Sequence, residues 1–108
     1  MIGCDIIEVE RVKKLKFKNK VFTDKEIQYA NKYSKPYIHL AGFFALKEAI
    51  IKAMDIPLNV CQIEILHNEK GAPIANILVE LTAEYDIQCS ISNLEHLAMA
   101  VAFVQKIN

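Results

Sequence analysis

Apolar and polar positions change their rhythm twice along this chain. Residues 2–7, IGCDII, are apolar and partly β-branched, which predicts a strand with Asp5 as its anomalous member. From Glu8 to about Phe17, Val9, Val12 and Leu15 fall three apart, the spacing of a short amphipathic helix with a lysine-rich outer face. Thr23 followed by Glu26 is a capping-box pattern, in which hydroxyl and carboxylate each accept from a backbone N–H that a helix start leaves without a partner. It predicts a second helix over residues 24–33. Pro36 opens a third and longer helix, ending near Met54, because proline in a first turn sacrifices no hydrogen bond and Pro57 lies just past the end. Inside it Ala41, Ala45, Ala49 and Ala53 recur every fourth residue, a small-side-chain stripe that lets another element approach closely.

Beyond residue 60 the period shortens. CQIEIL, a turn at NEKG, then PIANILVEL, DIQCSIS and LAMAVAFVQ read as four short strands. Helices followed by strands predict an α+β fold, with a largely antiparallel sheet packed against the long helix and helices on one face. Neither a repeat nor a linker breaks residues 1–108, so a single domain is expected.

Composition narrows the classes. A chain of 108 residues, 53% hydrophobic and with only three Gly and three Pro, is not disordered or collagen-like, and it can bury a core without a metal or disulfide staple. Thirteen basic residues balance 13 acidic ones, which removes the broad basic field of a protein that lives on nucleic acid or anionic membrane. There is neither an apolar run long enough to span a bilayer nor a signal-peptide block behind MIGCDII, so a cytoplasmic protein is expected. Cys4, Cys61 and Cys89 have no CxxC spacing and are expected to be buried, reduced thiols.

Two carboxylates are candidates for chemistry because both sit in apolar company. Asp5, inside a hydrophobic strand, needs a cation, a metal or several donors, and a salt-bridged strand-end Asp is as good a reading as a metal ligand. Glu48 lies one turn before Lys52, and an ordinary i,i+4 ion pair is the simpler account of it, although the flanking alanines argue for partial burial. Gly71 and Pro73 mark a hairpin turn. Glycine-rich phosphate loops are absent, and His39, His67 and His96 show no metal spacing. Lys13, Lys14, Lys16, Lys18 and Lys20 form a local basic patch.

GCDIIEVERV at 3–12, FTDKE at 22–26, LAGFFALKEAIIKAM at 40–54, GAP at 71–73 and SISNLEHLAMAVAFV at 90–104 together resemble the holo-acyl-carrier-protein synthase family, the short class of 4′-phosphopantetheinyl transferases. The resemblance implies transfer of the phosphopantetheine arm from coenzyme A to a serine of apo acyl carrier protein, with release of adenosine 3′,5′-bisphosphate, in fatty acid biosynthesis. It implies the family's α+β fold and a homotrimer with active sites between protomers. Asp5 and Glu48 stand at the family's Mg²⁺-holding positions, and Lys47 and Lys52 at its motif lysines, with Lys52 set to stabilise the leaving oxygen. Lys47, Gly71, Pro73, Ser92 and Asn93 are implied to contact coenzyme A, the GAP turn lying near the adenine. Arg11, Lys14 and Lys18 are implied to receive the acidic carrier protein.

The chain departs from the family pattern where Phe43 replaces the usual Arg and Asn93 the usual His, both toward the nucleotide phosphates. DIPLN at 55–59 replaces a glycine-bearing segment, and His96 or Lys70 could compensate for the lost cations. The rival readings are an inactive homologue that binds carrier protein or nucleotide and, disfavoured by the neutral charge, a small nucleic-acid-binding domain.

Overall fold

In the computed structural model, which describes residues 1–107, the order is β1 (Ile2–Glu8), α1 (Val9–Lys13), α2 (Asp24–Ala30), α3 (Pro36–Ala53), β2 (Ile63–His67), β3 (Pro73–Ile77), β4 (Glu84–Asn93) and β5 (Leu97–Ile107). Single 3₁₀ turns at Lys18–Lys20 and Val60–Gln62 join some of them. All strand pairs are antiparallel, but they form two sheets: a three-stranded sheet in the order β1-β5-β4, and the separate hairpin β2-β3. The α+β expectation holds, and the α3 helix lies across the inner face of the larger sheet.

The alternation along each strand sets what meets α3. Gly3 and Ile7 of β1, and Ala98, Ala100, Ala102 and Val104 of β5, turn inward and are buried against a helix face that includes Ala45, Leu46, Ala49, Ile50 and Ala53. Small residues on both sides bring the backbones together: a methyl on Gly3 would lie 1.9 Å from the Ala49 carbonyl oxygen. Only a residue without Cβ allows this approach.

Several predicted ends move. The first helix stops at Lys13 rather than Phe17, where Lys14 N–H donates to Glu10 and Leu15 N–H to Val12, closing the last turn early. The second stops at Ala30 because Lys32 and Tyr33 donate instead to Tyr29 and Ala30 in tighter turns. Its capping box forms as expected, Glu26 N–H donating to Thr23 Oγ1 at 3.3 Å and Thr23 N–H to Glu26 Oε1 at 2.9 Å. The cysteines depart from expectation. Cys4 is exposed on the outward face of β1, Cys61 is exposed on a 3₁₀ turn, and only Cys89 is partly buried, where burial pushes its thiol pKa up. Among the described residues, no helix is long and apolar enough to cross a membrane.

Candidate active site

The close approach of α3 to β1 places residues 43 apart in sequence on one cleft of about 260 Å³, lined by Asp5, Ile6 and Ile7 of β1, Arg11 of α1, and Phe44 and Glu48 of α3. Asp5 shares the inward alternation of Gly3 and Ile7, and the carboxylate is only partly covered. Its cation is Lys52. The ammonium donates to Asp5 Oδ1 at 3.2 Å and to the Cys4 carbonyl at 3.0 Å. The expected Glu48–Lys52 pair therefore does not form; Lys52 reaches across to β1 and leaves Glu48 without an ion pair among the described residues.

Two carboxylates line one cleft and supply oxygen donors of the kind Mg²⁺ takes, and no third His, Cys, Asp or Glu groups with them among the described residues. That ion takes oxygen ligands, keeps several waters, and is usually bound by one or two carboxylates plus substrate phosphates. Asp5 and Glu48 fit it as ligands. Lys52 fits as the neighbouring point charge.

Lys47 has a different fate from its sequence-based assignment as a coenzyme A contact. It is fully buried, donating to Glu26 Oε1 at 2.7 Å and to the Val21 carbonyl at 2.7 Å. Burial pushes its pKa down, and Glu26 pulls the other way. Glu26 is equally buried and also accepts from Thr23 N–H and, at 2.6 Å, from Ile65 N–H. One carboxylate thus ties α2, α3 and β2 together, and its lysine has no surface left for a ligand. The reason lies in helical geometry: side chains one residue apart point about 100° apart, so Lys47 faces the core while Glu48 faces the cleft.

A second cleft, of about 180 Å³, gathers residues from α2, α3, β2, β3 and β4 and from the β2–β3 turn. Tyr29, His39, Phe43 and His67 make one side; Gly71, Pro73, Ile91 and Asn93 make the other. The Tyr29 and His67 rings stack parallel with centroids 3.8 Å apart, and Tyr33 stacks on His39 at 3.9 Å. Burial pushes both imidazoles below the ordinary value, and His67 is lowered further by the nearby His39 and Lys32. Asn68 Oδ1 accepts from Lys70 and Ala72 N–H and shapes the turn that presents Gly71, whose φ of +84° is the left-handed region that favours glycine.

Gly71, Pro73, Phe43 and Asn93, grouped in sequence only by resemblance, therefore do come together. Ser92 does not join them. Alternation along β4 sends it to the opposite face, where it lines an apolar hollow with Leu94, Leu97 and Met99; that hollow adjoins the first cleft through Ile6 and the second through Asn93. His96 lines another groove and Lys70 lies on the exposed turn beside Gly71, so neither is among the residues lining this cleft. His39 and His67 do line it; no spacing signalled them, because their proximity comes from packing α3 against β2.

On the basic side, Arg11 and Lys14 are exposed, while Lys18 donates to the carbonyls of Lys13 at 3.2 Å and Leu15 at 2.9 Å, closing the end of α1. Lys13 and Lys18 also lie 5.9 and 5.3 Å over the Tyr37 ring.

The chain is similar to curated holo-[acyl-carrier-protein] synthases: 38% identical to that of Thermoanaerobacter sp. (strain X514), covering 94% of this chain and 83% of the relative. It is 44% identical to that of Thermodesulfovibrio yellowstonii over 70% of this chain and 74% of the relative. Among solved structures, the holo-(acyl-carrier-protein) synthase of Bacillus anthracis in complex with CoA (3′,5′-ADP) superposes with a TM-score of 0.83 at 30% identity, covering 99% of this chain and 96% of that one. The Helicobacter pylori synthase in complex with coenzyme A gives 0.82 at 29%, covering 97% and 100%. The model of the 4′-phosphopantetheinyl transferase superfamily matches residues 1–102, and with these relatives and the shared fold it establishes that the chain belongs to that superfamily.

Proposed function

We propose that this protein is a holo-acyl-carrier-protein synthase, moving 4′-phosphopantetheine from coenzyme A to a serine of apo acyl carrier protein, with adenosine 3′,5′-bisphosphate as the second product, in cytoplasmic fatty acid biosynthesis. The observation that carries the reading is the first cleft, where Asp5, Glu48 and Arg11 converge with Lys52 on the Asp5 carboxylate. Bound to Asp5 and Glu48, Mg²⁺ would neutralise the pyrophosphate and stabilise charge on the phosphoryl group under attack. Asp5 and Glu48 supply hard oxygen donors from two rigid elements. Lys52 supplies a mobile positive charge within reach of the cleft, suited to the oxygen of the departing nucleotide. Gly71, Pro73 and Asn93 hold the nucleotide end. Exposed Arg11 and Lys14, with the lysines beyond them, offer the acidic carrier protein a basic face.

The outer face of the three-stranded sheet supports a homotrimer. Ile2 and Ile6 of β1, and Leu97, Met99, Val101 and Phe103 of β5, stand exposed on it side by side. A contiguous apolar face of this kind marks a surface that another chain covers. Light scattering at micromolar concentration should return three times the chain mass, and a monomer would reject the assembly. Incubation with coenzyme A, Mg²⁺ and an apo carrier protein should add one phosphopantetheine mass to the carrier by intact-mass spectrometry; no gain across a range of carriers would leave the inactive homologue. Reversing Arg11, Lys14 and Lys18 to Glu should raise the carrier KM and leave coenzyme A binding nearly unchanged.

A further inference from the structure

Glu26 and Lys47 are fully buried charges that the transfer reaction leaves unused. The helix that carries Glu26 is short: α2 has seven residues and buries two of them, Glu26 and Ala30, so it has little apolar surface to fix its place. The carboxylate supplies what that surface lacks. Its Oε1 accepts from Lys47 of α3 at 2.7 Å, and its Oε2 accepts from Ile65 N–H of β2 at 2.6 Å. In each of the three elements so joined, a ring lining the second cleft stands close by in sequence. Tyr29 follows Glu26 by three residues on α2, Phe43 precedes Lys47 by four on α3, and His67 follows Ile65 by two on β2. Spacings of three and four share a helix face, and two residues along a strand span about 7 Å. The rings make one contact set. Tyr29 stacks on His67 at 3.8 Å and within 2° of parallel, while Phe43 lies 5.8 Å from Tyr29 and 5.4 Å from His67. Such a stack between two elements is sensitive to their spacing, because an opening of about 1 Å forfeits up to about half of the dispersion attraction.

We propose that Glu26 is a positioning residue of the transferase: by holding Lys47 and the Ile65 amide at once, it sets the wall of Tyr29, Phe43 and His67 and so the affinity for the donor, which it does not touch. The inference rests on the reading above that puts the nucleotide end of coenzyme A at this cleft. The first cleft is fixed by a different contact, the close approach of Ala49 to Gly3. Loss of the Glu26 tether therefore shifts the ring wall and leaves Asp5 and Glu48 where they are.

Two variants test it. Glu26→Leu combined with Lys47→Met removes both charges together, so neither is left buried without its partner, a replacement that folded proteins often tolerate. Glu26→Asp keeps a counter-charge for Lys47 but is one methylene too short to hold the Ile65 amide as well. Each is compared with the parent protein by circular dichroism, by the proton resonances of the His67 ring, and by transfer kinetics. In the parent, the Tyr29 ring current shifts the His67 ring protons upfield. In the folded variants those protons should return toward the position of a free imidazole. The KM for coenzyme A should rise about tenfold, the loss of roughly one stacking contact, while kcat and the carrier KM stay nearly unchanged. A residue that serves stability alone would lower the thermal midpoint without this split. A folded variant that keeps the parent's His67 shift or the parent's KM for coenzyme A overturns the proposal, and so does loss of the fold in both variants. Should the parent transfer nothing from coenzyme A, the transferase reading fails, while the His67 resonances still decide whether Glu26 sets the wall.

Discussion

Gly3→Ala is the sharpest perturbation of the cleft between Asp5 and Glu48, because it changes neither carboxylate. The added carbon would lie 1.9 Å from the Ala49 carbonyl oxygen and 3.1 Å from the Ala53 amide nitrogen, both backbone atoms that no rotamer change can move. Contacts under 3.0 Å are essentially never made by a real Cβ, so α3 and β1 must separate by about 1 Å. Overpacking of this kind costs typically 1–3 kcal/mol, and more where the clash is with backbone. The separation falls between Asp5 on one element and Glu48 on the other, and a misplacement of about 1 Å at a reacting centre can cost on the order of 10²-fold in rate. Gly3→Ala should therefore lower the thermal midpoint and, at temperatures where it is still folded by circular dichroism, raise the Mg²⁺ concentration needed for half-maximal transfer. Mn²⁺ binding followed by electron paramagnetic resonance gives the same reading without turnover. A variant with unchanged midpoint and unchanged metal dependence would show that the α3–β1 contact does not set the distance between the carboxylates.

The Glu26–Lys47 pair should behave as one unit. Glu26→Gln or Lys47→Met alone should cost about 3–5 kcal/mol by urea unfolding, since each leaves the other charge buried, and the double variant should recover much of the loss; additive losses would deny the coupling. Asp5→Ala and Glu48→Ala should each abolish most transfer, with the double variant little worse than either, whereas Lys52→Ala should lower turnover and keep the metal requirement; additive losses would return Glu48 to the solvent-facing helix. His39 and His67 titrate below the ordinary 6.5 in the folded chain, so the unfolded chain binds more protons; stability is complete above about pH 6.5 and falls as pH drops through the lower folded values. Thermal midpoints between pH 8 and 5 should show this decline and His67→Gln should flatten it. Asp55 and Glu95, held below the carboxylate range by hydrogen bonds from Lys106 and Lys35, act only at lower pH.

Features governed by neighbours a few residues away were legible in the chain itself. The capping box at Thr23 and Glu26, the proline start of α3 and the alternation of β5 depend on local backbone geometry, and each stands where its residues predict. The alanine stripe announced a close approach, and Asp5 and Glu48 announced themselves as charges in apolar company. Helix ends were read too long because the early turns at Leu15 and Lys32 answer to packing rather than to propensity. Tertiary structure alone decided which element comes close to α3, and there the partner is Gly3, an unremarkable strand residue until the helix backbone lies against it. It also decided the lysines. Lys47 and Lys52 stand on one helix at similar positions in the motif, yet the interior takes one as the counter-ion of Glu26 and the surface gives the other to Asp5. It separated Ser92 from Asn93 by the two-residue period of a strand, and it brought His39 and His67, 28 residues apart on different elements, to one cleft. Such pairings are set by how the layers stack, and stacking is a property of the whole chain that no local pattern of residues encodes.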